Sequence, residues 1–185
     1  MIMEIMYWIS IVIMTIGAVM LHFKYDEHGL KRLMLFFTTV LIMAVGQGLM
    51  TYQYVALRGG FKVHNCIYGV FGALLFGAMI LWASKLTFKF EYERFRVLLG
   101  VISIIAGWLG GNGIDLVVAH RSGFGLLESS LSVYMLCIGA ILVMIADLVG
   151  IFENFSLKKK SLLTMICRST VSVGILMMIG GGIIG

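Results

Sequence analysis

The chain contains no proline. Any helix that bends or breaks must then rely on glycine, and the densest run is Gly107 to Gly113 in GWLGGNG. Such glycines either unwind a span, freeing backbone groups to hold a substrate, or simply let two helices approach closely. Cysteine is scarce as well. Cys66, Cys137 and Cys167 form no CxxC pair, and the last two lie inside apolar runs, so they read as small buried residues rather than a redox or metal site. No HExxH, no GxSxG and no pair of mid-span aspartates is present, so no enzyme, cofactor or metal is expected. Charge is the deepest deficit. Only 12% of residues are charged against 61% hydrophobic, which excludes a soluble domain.

What fills the chain is a series of apolar runs of about 20 residues, the length that crosses a bilayer. They run from about Ile5 to Phe23, Leu33 to Leu57, Cys66 to about Phe88, Val97 to Ala119, Ser129 to Phe152, and Leu162 to the C-terminus. The start, MIMEIMYWIS, lacks a basic leader and a small-residue cleavage site, so the first run is expected to be a retained helix. Short turns between spans leave the whole of 1–185 as one transmembrane domain. The net charge of +5 would point to nucleic acid in a soluble protein. Here the basic residues sit in those turns, and no nucleic-acid partner is expected. Lys24, Lys31, Arg32, Lys85, Lys89, Arg94, Arg96, Lys158, Lys159 and Lys160 follow spans one, three and five, whereas only Arg58, Lys62 and Arg121 follow spans two and four. The positive-inside bias makes the first set cytoplasmic. The expected fold is therefore all-α and polytopic: six transmembrane helices as three hairpins with cytoplasmic tips and both termini outside. Arg32, Arg96 and Lys160 are equally spaced, which fits three copies of one hairpin.

Residues that bear chemistry are few. Asp115, Asp147 and Arg168 lie within spans, where a charge costs about 2.5–3.5 kcal/mol at the centre of a helix. Counted from the tip of the last hairpin, Asp147 and Arg168 come within about 3 Å in depth, so they are expected to meet. That contact is either a structural ion pair or an arrangement in which Asp147 holds the Arg168 guanidinium towards a polar solute. Asp115, with Asn112, lies towards the outer end of its span, where snorkelling to the surface suffices. His22 and His28 fall on the cytoplasmic side, His64 and His120 on the outer side, and a bis-histidine haem needs facing histidines at mid-depth. His64 and His120 are either sensors of external pH or ordinary solvated loop residues.

The third span, YGVFGALLFGAMILWA from Tyr68 to Ala83, is the most telling stretch. Gly69, Ala73 and Gly77 stand one turn apart and form a small-residue stripe suited to close helix packing. Phe71, Leu75, Phe76, Met79 and Trp82 occupy the rest, to face lipid or to line a narrow passage. Tyr68-Gly69, Leu74-Leu75-Phe76-Gly77, Leu81 and Ala83 resemble the third span of the AmiS/UreI family of urea and short-chain amide channels, and Glu153-Asn154 is similar to that family's ending of span five. The resemblance implies six helices with outer termini, a bacterial cytoplasmic (inner) membrane, a homo-oligomeric ring, typically a hexamer, and a pore through each protomer. By position it makes Phe76 a pore-lining aromatic, with Tyr68 and Gly69 its supporting turn. Span five lacks the family's pore tryptophans, and Arg168 stands where the family has a pore carboxylate. The reading is a passive channel for a small neutral polar solute, with Phe76 and Tyr68 on the path and Arg168 and Asp147 as its polar contact. The alternative is a structural or effector membrane subunit that binds a partner protein or forms a pore, without a specific solute pathway.

Overall fold

A computed structural model describes residues 1–22, 30–57, 59–60, 62, 67–87, 94–123, 127–155 and 161–185. Among the described residues the fold is all-α, with no strand. The six helices are α1 (Ile2–His22), α2 (Leu30–Leu57), α3 (Ile67–Thr87), α4 (Arg94–Arg121), α5 (Ser130–Phe155) and α6 (Ser161–Ile184). Within them, Ser130–Val149 and Met165–Ile184 are long and apolar enough to cross a membrane, and Glu4–Met20, Leu41–Leu57 and Ile67–Ala78 are shorter apolar segments.

Local chemistry explains where helices stop. After Leu57, Gly59 and Gly60 take positive φ, and Gly60 N–H returns to the Val55 carbonyl at 2.9 Å while Gly59 N–H reaches Ala56 at 3.0 Å. That is the left-handed glycine cap, which a side chain would strain. At the start of α5 the Ser129 hydroxyl accepts the Ser132 N–H at 3.3 Å and so caps the helix.

The packing follows the expected hairpins. α1 lies on α2, α3 on α4, and α5 on α6; further contacts join α2 to α4, α4 to α5, and α1 to α6. Taken together these close a five-membered ring, α1–α2–α4–α5–α6, and leave α3 outside it against α4. Glycine sets each hairpin's separation. A Cβ built at Gly17 would stand 2.6 Å from Met43 Cγ, one at Gly72 2.5 Å from the Gly107 carbonyl, and one at Gly139 2.7 Å from that of Gly174. α4 is continuous through Gly107 to Gly113, so these glycines serve contact and do not unwind the helix. Gly107 and Gly111 admit α3, whereas Gly110 and Gly113 admit Met144 and Ala140 of α5. Gly46, Gly110 and Gly174 repeat at the interval that separates Arg32, Arg96 and Lys160.

The centre of the ring is filled. Met14, Met43, Met50, Leu109, Val143, Val171 and Met178 belong to one buried cluster, and the methionines among them are no more than 1% exposed. Outward, every helix shows apolar side chains: Val12, Leu41, Phe71, Ile104, Ile138 and Leu176 are all exposed.

Candidate functional site

Two helix faces define the polar heart of the ring. Met43, Gln47, Met50 and Tyr54 recur on one face of α2, and Leu136, Ala140, Val143 and Asp147 on one face of α5, at the three- and four-residue spacing of a helix. The two faces meet at both ends. Tyr54 donates its hydroxyl to the Leu136 carbonyl at 3.1 Å, and Gln47 Nε2 donates to Asp147 Oδ2 at 2.6 Å. Gln47 is 1% exposed, and its Oε1 has no hydrogen-bond partner. In this orientation the amide donates to the carboxyl group and leaves Oε1 open. The Thr51 hydroxyl oxygen, one turn further along α2, is also buried without a partner. A ready acceptor therefore stands beside a carboxylate in an apolar surrounding, where an unmet polar group costs about 1–3 kcal/mol.

The expected contact of Asp147 with Arg168 does not form. Asp147 is taken by Gln47, and the buried Arg168 Nε has no hydrogen-bond partner. Depth was matched, as Cys167 Sγ donates to the Ala146 carbonyl at 3.2 Å. Rotation was not: Cys167 holds the position facing α5, and the next side chain points about 100° away.

The α3–α4 interface gathers a second set. Asp115, expected at the surface, is 3% exposed. Its Oδ2 accepts the Gly69 N–H at 2.7 Å and its Oδ1 that of Tyr68 at 3.2 Å, so α4 supplies the cap of α3. A charge-assisted cap satisfies two otherwise unmet first-turn amides, which explains why the carboxylate stays inside. Asn112 donates to the Trp108 carbonyl at 2.9 Å and lies over Gly69, where a Cβ would stand 3.0 Å from its amide nitrogen. The small-residue stripe is shifted from its expected line. Gly69 and Gly77 do face α4, but the closest approach is made by Gly72, and Ala73 is merely buried. Phe76, 5% exposed, puts its Cβ against Gly107. It thus lies between α3 and α4, away from the centre of the ring. Tyr68, Phe71 and Leu75 are exposed, and the side chains of Met79 and Trp82 lie outside the described residues.

At the α4–α5 turn both ring nitrogens of His120 are engaged, Nδ1 with the Leu127 carbonyl at 3.1 Å and Nε2 with Ser130 Oγ at 2.9 Å. The carbonyl can only accept, so Nδ1 donates its proton to it, while the Ser130 hydroxyl can pair with Nε2 in either sense. His64 lies outside the described residues. Arg121 next door donates to the Tyr134 hydroxyl through Nη2 at 2.6 Å. Among the described residues no three His, Cys, Asp or Glu side chains are grouped to hold a metal.

A cavity of about 480 Å³ opens where α1 begins and α6 ends, with Glu4, Tyr7, Trp8, Gln53, Ser132 and Gly182 among its lining. Its floor is closed by hydrogen bonds to backbone: Tyr7 donates to the Met178 carbonyl and Ser132 Oγ to that of Gly181 at 2.6 Å. Below lie Met14, Met50 and Met178, and below these Gln47 with Asp147. Gln47 and Asp147 stand 100 residues apart, and their spacing gives no sequence signal that they meet. The cavity had a faint signal in Glu4, Tyr7 and Trp8, which share one face of the first helix by spacing.

Compared with protein-family models, curated proteins and solved structures, the chain matches none.

Proposed function

We propose that the chain is a six-span membrane channel for a small neutral polar solute of the urea or short-chain amide type, with its path along the axis of the five-helix ring. Exposed apolar side chains on all six helices support membrane embedding, since water-soluble proteins rarely show apolar patches beyond a few hundred Å². The observation that carries the path is the Gln47–Asp147 bond with its open Oε1. A solute N–H finds an acceptor there, where the ring's apolar interior turns polar. Methionines 14, 50 and 178 make the throat between cavity and polar pair. Their unbranched, flexible side chains can part for a slender solute and close behind it, which selects against hydrated ions. On this reading Asp147 keeps its expected role, Gln47 takes the place given to Arg168, and Phe76 is structural.

Purified protein in liposomes should speed swelling in urea, acetamide or formamide without passing ions at a comparable rate. One observation favours the rival, a structural or effector membrane subunit without a specific solute pathway: the ring's centre is filled by side chains at most 1% exposed. Vesicles that swell no faster than empty ones in all three solutes would decide for that rival.

A further inference from the structure

We propose that the cavity between the start of α1 and the end of α6 is a binding site for an organic ammonium group. It is large enough for one: about 480 Å³ is within the range of small-molecule pockets. Its lining has the chemistry for one. Glu4, Tyr7 and Trp8 stand at i, i+3 and i+4, so one face of α1 carries a carboxylate one turn above two aromatic rings. The rings meet edge to face, with centroids 5.2 Å apart and planes at 88°, so they form an aromatic corner in which the buried Tyr7, 9% exposed, backs the more open Trp8, 36% exposed. The negative π-faces of such rings attract a cation directly, most strongly for Trp and where water is displaced. Glu4 has no hydrogen-bond or ion-pair partner among the described residues, so its charge is available to a ligand.

The remaining lining is consistent with this choice. Helix ends contribute little net field, because α1 and α5 begin here while α2 and α6 end here, and opposite dipole ends cancel. Among the side chains of the lining, Glu4 alone carries a full charge. The opposite wall is bare backbone at Gly181 and Gly182; a Cβ at Gly182 would overlap the Tyr7 ring, so glycine there preserves the aromatic corner. Ser132 spends its proton on the Gly181 carbonyl and Tyr7 spends its own on Met178, so neither hydroxyl offers a proton to an anion. The site favours a cation with apolar substituents over an anion or a sugar.

A free amine and the choline headgroup of a lipid share this chemistry, and two ligands separate them. Protein in a neutral maltoside detergent would be titrated calorimetrically with benzyltrimethylammonium, and separately with short-chain phosphatidylcholine below its micellar concentration. Saturable binding of either one is expected, weakened about tenfold by Glu4→Gln and by Trp8→Ala, and weakened less by Trp8→Phe, which keeps a smaller π-face. Binding of the first ligand alone marks a soluble amine site; binding of the second marks a headgroup site. The neutral isostere 3,3-dimethylbutanol should bind far more weakly than choline. Absence of saturation with both ligands, equal binding of the isostere, or indifference to Glu4→Gln overturns the proposal. Glu4 and Trp8 are both exposed, so these variants should retain the fold, which size-exclusion chromatography would verify.

Discussion

Gln47 Nε2 lies 2.6 Å from Asp147 Oδ2, a hydrogen bond between residues 100 apart in sequence that ties α2 to α5 across the ring. Replacing Asp147 by Ala leaves the Gln47 amide buried with neither end satisfied. That should cost about 1–3 kcal/mol, and Gln47→Ala should cost a similar amount. In the double variant the losses should fall well short of additive, with coupling on the order of 1 kcal/mol or more. Arg168→Ala, by contrast, should add independently to Asp147→Ala. Thermal unfolding in detergent measures all of these, and additivity of Gln47 with Asp147 would remove the bond from the argument.

The cap that α4 supplies to α3 gives a local test. Asp115→Ala strips the partner from the Tyr68 and Gly69 amides, for a loss of about 1–2 kcal/mol. Hydrogen exchange followed by mass spectrometry should show faster exchange in the first turns of α3 and little change in α5 or α6. Uniform acceleration would mean that Asp115 supports the whole bundle instead.

These two contacts also mark how far the sequence could be read. Apolar runs and short basic turns are properties of composition, and they place the six helices within a few residues: α4, expected to end at Ala119, ends at Arg121. Hairpin pairing follows from turn length and glycine. Rotation about each helix axis does not follow, because a span apolar on every face has no polar stripe to show which side points inward. That is why α3 gives no sign of lying outside the ring, and why depth alone matches Arg168 to Asp147.

Glycine contacts separate by position. At Gly111 a Cβ would collide with the Tyr68 carbonyl, so Gly111→Ala should force α3 from α4 and cost about 1–3 kcal/mol or more. Gly48, also inside a helix, has nothing within 4 Å of the same atom. Gly48→Ala should stabilise by about 0.5–1 kcal/mol through helix propensity. Opposite shifts in unfolding temperature are the expected result; a loss at Gly48 would reveal a neighbour in an assembly.

Orientation is tested by reporters. Fusions at Gly29, Glu93 and Lys159 should read cytoplasmic, and those at Gly60, Gly123 and the C-terminus external, because ten basic residues lie in the first set of turns and three in the second. A cytoplasmic reading at the C-terminus would overturn both the charge argument and the three-hairpin plan in a membrane.

On the proposed channel reading, two methionine variants and one phenylalanine variant decide the route of permeation. Met50 is fully buried at the ring's centre, with the Ser10 hydroxyl 3.9 Å from its sulfur. Met50→Ala removes most of the side chain that closes the axis, so liposomes should swell faster in urea and should admit bulkier amides. Met50→Leu conserves volume and should leave both rate and size limit near those of the parent. Phe76→Ala empties a space between α3 and α4, at a cost of about 3–5 kcal/mol in stability, without touching the axis. Its swelling rate per folded protein should therefore match the parent's. If Phe76→Ala widens solute selection while Met50→Ala does not, the path runs along α3 as the family resemblance implies, and the centre of the ring is only a core.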